Sequence, residues 1–366
     1  MATIASAHAC SDTSGNKTTP TTEGGSAGEA GGEGGGGISG GTELLVPVPA
    51  TGRVYVKLAI PALVTPADPA TDKEWDIAFE GLDVYTNSGP SGSGSARAFG
   101  PLEPIAFIEN VAPTVPFLSP DTTGGAFLRW WFYGGGAANN ALFSRFHVYG
   151  VKDGDRTWKV QVLNYYGVSA GAPTSALYRV RWAEVTAGGV GPTQEATDLD
   201  GRAGGTNGSK DAPVECLDLG TGSRTMLAPS AARTSNVWHL CFRRENISVN
   251  GEVGGPRNIG AVDLDAAKSP TETLSETINK DADNQKAAFD AVNAASLAGQ
   301  TFRGDRVVSA FGTLWLERGA SPPKPASSAW LVVGADAVNY LLGFVRFDGP
   351  TATTPGTIVM RVKAVK

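Results

Sequence analysis

Imidazole and sulfur side chains, which bind transition metals and, for histidine, titrate near neutral pH, are scarce in this chain. There are three histidines (His8, His147, His239), three cysteines (Cys10, Cys216, Cys241) and three methionines. No C-x-x-C pair and no histidine pair at zinc-finger spacing occurs, which argues against a structural zinc site. Cys216 and Cys241 read either as one disulfide of an exported protein or as two separate buried thiols. Gly167-Val-Ser169-Ala-Gly171 matches G-x-S-x-G, but that motif needs a helix after the serine and a histidine in reach. Here a strand pattern follows, which predicts Ser169 in a hairpin turn. Gly134-Gly-Gly136 lacks the lysine and the helix of a phosphate loop. No motif places a nucleophile or an acid/base pair, and the chain is expected not to be an enzyme.

Two aromatic groups remain. Trp130, Trp131, Phe132 and Tyr133 are consecutive, and Tyr165 and Tyr166 are adjacent. Neighbours on a strand face opposite sides, so about half of these residues belong to a core. The others, Trp131 and Tyr166 among them, are candidates to line an apolar slot for a flat ligand. His147, within Phe143-Ser-Arg-Phe-His-Val-Tyr, is a weaker candidate and reads first as a strand-surface or hydrogen-bonded histidine.

The elements that must position these residues follow from composition and periodicity. The 366 residues are enough for about two domains, and 48 glycines with 23 prolines point to many turns. A net charge of −6 gives no electrostatic footprint for nucleic acid. No apolar run is long enough to span a bilayer as a helix. Residues 1–41 are nearly free of large apolar side chains and are expected to form a disordered, Gly-rich tether. Within it, Ala7-His8-Ala9-Cys10-Ser11 is either a bacterial lipoprotein processing site, lipidated at Cys10, or a tail with an incidental cysteine. A second soft stretch, 188–212, reads as a linker. It leaves a first domain at 42–187 and a second at 213–366.

Both units alternate apolar and polar residues in short runs, as in Val54, Val56 and Leu58, which predicts antiparallel β structure throughout. Trp158–Leu163 and Leu177–Trp182 are expected to pair. Ser269–Ala298 reads as a helical insertion in the second unit. The two units also repeat one another. Trp75-Asp-Ile-Ala-Phe matches Trp238-His-Leu-Cys-Phe, and the same spacing pairs Val84 with Ile247 and Asn87 with Asn250. Phe127 to Trp130 is matched by Phe311 to Trp315, Gly150 by Gly334, and the closing hairpin 160–185 by 342–365. Because Asp76 stands where the other copy has His239, both are expected on a solvated face.

Trp75-Asp-Ile-Ala-Phe, followed by Asp83-Val-Tyr-Thr-Asn87-Ser-Gly89 and a Trp-bearing strand ending at Gly134, resembles the HmuY-like family of bacterial haem-binding surface proteins. The resemblance covers 42–187 and, more weakly, 213–366. It implies an all-β fold in two tandem copies. It also implies a haem or porphyrin pocket and an exported protein, at the outer membrane through a lipid anchor or in the periplasm, with other surface proteins as further partners. The family takes one axial ligand just before the glycine that ends the Trp strand; that position is Tyr133 here and Arg318 in the second copy. Tyr133 is therefore the expected iron ligand, with Trp131, His147 and Tyr166 around the cofactor. Residues 100–126 and 261–313, where the second ligand would come from, hold no His, Met, Cys or Tyr. The competing expectation is a non-haem interaction module that keeps the fold without the ligands.

Overall fold

The computed structural model describes residues 38–366 apart from 110, 205–208, 210, 313 and 352–354. Cys10, His8 and the tether up to residue 37 lie outside the described residues. The folded part begins slightly earlier than expected, because Ile38 is buried and packs against Gly343. The chain is all-β in class, with antiparallel sheets and a few short helices.

Two lobes of the same design make up the compact unit. In the first, strands Val54–Lys57, Ala62–Val64, Ile77–Glu80 and Asp83–Thr86 form a four-stranded sheet. It packs on a five-stranded sheet ordered Thr42–Pro47, Thr357–Val365, Asn339–Asp348, Ala329–Val333, Arg97–Leu102. In the second, Val214–Leu217, Arg224–Leu227, Leu240–Arg243 and Asn246–Val249 form the small sheet. The facing sheet there is built from Gln194–Asp200, Ala172–Thr186, Arg156–Ser169, Val148–Asp153 and Gly260–Asp263, with Gly189–Val190 at one edge. Alternation explains the packing: Val56, Ile77, Phe79 and Val84 are buried in one lobe, and Leu217, Leu240, Phe242 and Ile247 in the other. Seven tryptophans are almost fully buried and supply much of the buried apolar area.

Neither lobe is the continuous unit that the repeat suggested. The first half of each copy packs with the second half of the other, so strands of 42–187 and 213–366 share sheets. The second lobe is thus one continuous stretch of about 120–305, nested between the two parts of the first. Where the copies exchange partners, Thr122–Gly124 pairs antiparallel with Arg306–Val308. The tryptophans report the exchange directly: the Trp130 indole donates to Glu245 O at 2.7 Å, and that of Trp315 to Leu82 O at 2.8 Å. The 188–212 stretch is not only a linker. Gln194–Asp200 is a strand of the larger sheet, because Ala196 and Leu199 face the core while its other side chains are polar. The helical insertion is present as three short helices, Leu274–Ile278, Lys286–Ala291 and Ala294–Leu297. Register also shifts one pairing: Tyr149 corresponds to Trp330 and Gly150 to Leu331, not to Gly334.

Candidate functional site

The family-like residues are scaffolding. Asn87 is buried and its amide donates to Asp72 O and Trp75 O while its oxygen accepts from Gly94 N. Asn250 repeats this on Ser235 O, Trp238 O and Arg257 N. The indoles of Trp75 and Trp238 likewise close their loops, on Pro69 O and Ala232 O. Each asparagine thus satisfies buried backbone groups of a loop that no sheet could satisfy.

Of the sequence candidates, Tyr133, Trp131 and Tyr166 come together at one end of the second lobe. Trp131–Tyr133 pairs with Leu142–Ser144, and the Tyr166 hydroxyl accepts from Leu142 N at 3.0 Å. Trp131 and Tyr166 are half-buried against the core. Tyr133 is 52% exposed and its hydroxyl donates to Asn140 Oδ1 at 2.8 Å. His147 is not with them in chemistry. It is buried, with Nδ1 2.9 Å from Asp263 Oδ2 and Nε2 3.2 Å from Glu272 Oε2, so both ring nitrogens are engaged. Glu272 also pairs with Arg145 and Lys280. Burial pushes its carboxyl up, but the hydrogen bonds from Lys280 and Arg145 outweigh this and the net shift is downward.

His239 is buried rather than solvated. Its Nδ1 accepts from Leu219 N, and burial together with the Arg257 charge pushes its pKa down to about 4. Its counterpart Asp76 is equally buried and accepts from Leu58 N and Ala335 N. Alternation misled here because a second sheet covers that face. Cys216 and Cys241 are directly opposite on paired strands and form a disulfide. Ser169 ends its strand at a hairpin turn carried by Ala170 and Gly171. Among the described residues, no group of three or more His, Cys, Asp and Glu could hold a metal ion.

Sequence reasoning gave no sign of a cleft of about 700 Å³, because its walls come from segments far apart in the chain. One wall is the Ser88–Gly94 loop with Arg97; the other carries Val214, Arg233, Trp238, Arg243 and Asn246. The loop is glycine-rich for a steric reason: a Cβ on Gly89, whose φ is +54°, would lie 2.0 Å from Asp121 O. Asp121 is held behind this wall by Thr86 N, Thr86 Oγ1 and Ser91 Oγ, and Asp305 behind the other by Val249 N. Burial, only partly offset by these hydrogen bonds, pushes the two carboxyls up to about 6 and about 7. The cleft lining includes no Asp, Glu, Lys, His, Met or Tyr, and its one cysteine, Cys241, is in the disulfide. It therefore offers guanidinium and hydroxyl groups but no iron ligand. Neither this cleft nor a second of about 350 Å³ includes Tyr133, Trp131, His147 or Tyr166. No known protein-family model matches the chain, and no curated protein matches it.

Proposed function

We propose that this chain is a non-catalytic, exported binding protein that takes its ligand in the cleft between the lobes and not on a haem iron. The carrying observation is the cleft itself: about 700 Å³, within the range of small-ligand sites, with Arg97, Arg233 and Arg243 in its lining and no carboxylate. The Cys216–Cys241 disulfide supports export, since such bonds persist outside the reducing cytosol. The haem reading is left with Tyr133, an exposed phenol. His147, His239 and Met360 are buried, and the exposed Met226 lies on a strand of the small sheet.

Titrating haemin into the full chain tests this choice. The expected result is no saturable Soret shift, and no difference between the native protein and Tyr133→Phe. A saturable, stoichiometric band that disappears in Tyr133→Phe would return the function to haem capture.

A further inference from the structure

Resting on the cleft reading above, we infer that the cleft is a site for an acidic saccharide, its carboxylates held by Arg97, Arg233 and Arg243. None of the three makes an ion pair among the described residues, whereas most other arginines do. Asp211, which feels the charges of Arg243 and Arg233, is engaged by Ser230 N and Oγ and is not part of the lining. The three guanidinium groups line one concavity whose lining holds no carboxylate, Arg97 and Arg233 exposed to solvent and Arg243 partly so, which makes it attractive to an anion. The Arg243 guanidinium is held in place by Nη2, which donates to Ser209 O, while its buried Nη1 has no hydrogen-bond partner among the described residues.

The duplication supplies an internal control. At the corresponding positions of the other copy the residues are Gly260 for Arg97, Ala70 for Arg233 and Glu80 for Arg243. The positive charge is therefore not a relic of the ancestral unit but is specific to this face. The planar guanidinium fork matches the two oxygens of a carboxylate. The remaining polar lining, including Ser95, Thr122, Thr123 and Asn246, can both donate and accept, as sugar hydroxyls require. Trp238, the one aromatic residue in the lining, is 1% exposed and presents no face for stacking, which disfavours a nucleobase or a porphyrin.

The test is an amide chemical-shift titration of the full chain with trigalacturonate, its neutral methyl ester and inorganic phosphate. The expected result is saturable shifts at 88–97 and 241–248 with the acid, weak or none with the ester. Binding should fall roughly tenfold or more in Arg97→Gln/Arg233→Gln, whose side chains make no described internal bond. Equal binding of acid and ester in the cleft would overturn the acidic class while leaving the cleft reading intact. Phosphate binding there with the same sensitivity to the substitutions, and no saccharide effect, would overturn the saccharide. Saturable binding that shifts only amides elsewhere would overturn the cleft reading itself, and no saccharide shift anywhere overturns the inference.

Discussion

The two lobes share a fold but cover the outer faces of their larger sheets by opposite means. In the first lobe Ala329, Leu331 and Leu341 are covered by the strap that carries Phe107, Val115 and Leu118, a mainly apolar contact in which Lys363 alone among the described cations donates to the strap, at Ile108 O. In the second, register places Lys159 where the first has Leu341, Gln161 where it has Gly343, and Arg181 where it has Arg361. The helical insertion covers this polar face. Lys159 donates to Phe289 O, Asp290 O and Val292 O, and Arg181 to Ala282 O, both over the Phe289 ring. Strap and insertion occupy the same place in the two copies, the strap between Arg97–Leu102 and Thr122–Gly124 and the insertion between Gly260–Asp263 and Arg306–Val308, the last of each pair forming the ladder where the copies cross. One fold can thus take either a dry cover or a hydrogen-bonded, ionic one, and the second kind answers to pH and salt.

The largest effect that separates the two covers is expected from Phe107→Ala. It should cost about 4 kcal/mol in urea unfolding, with little dependence on pH or salt, because a fully buried ring leaves a cavity. Glu272→Gln should cost about 3 kcal/mol, since Arg145 and Lys280 lose their shared buried partner. Proteolysis within 264–302 should rise with it while the strap stays protected. Acid should act in the same direction. Glu272 is held below the ordinary carboxylate range, so its contribution is present above about pH 4.3 and is lost as pH falls through the depressed value.

A smaller effect separates Asp121 from Asp305, which sit at corresponding ends of the crossing ladder. Asp121 is fully engaged, whereas Oδ1 of Asp305 has no partner. Both carboxyls titrate above the unfolded value, so the native state binds more protons than the unfolded state from about pH 4 upward. Stability is therefore expected to fall as pH rises through that window, by about 1.4 kcal/mol more for Asp305 than for Asp121, one pKa unit apart. Asp305→Asn should flatten the part of the curve between pH 6 and 7. An unchanged slope there would contradict the assignment.

Strand content, the like design of 75–87 and 238–250 and the helical insertion were legible, because alternation and residue spacing are local properties. Partner choice between halves was not, because both exchanged and unexchanged arrangements bury the same faces of Val56, Phe79, Leu240 and Phe242. Lys159, Gln161 and Arg181 look like the solvated side of a hairpin until an insertion more than 100 residues away is placed over them. Gln194–Asp200 was hidden by its polar outer face. Of the site candidates, Trp131, Tyr133 and Tyr166 do share a corner, whereas His147 is bound to the insertion by residues that no local pattern connects to it. The cleft has no sequence signal for the same reason, since Arg97 meets Arg233 and Arg243 only through the exchange of halves.

The exchange itself is most directly tested by excision. Residues 120–305 contain both sheets of the second lobe, the disulfide and the insertion, whereas 42–187 contains only one half of each lobe. The fragment 120–305 is expected to unfold cooperatively in urea with the disulfide intact, and 42–187 to show no cooperative transition. A cooperative transition in 42–187, with none in 120–305, would contradict the account.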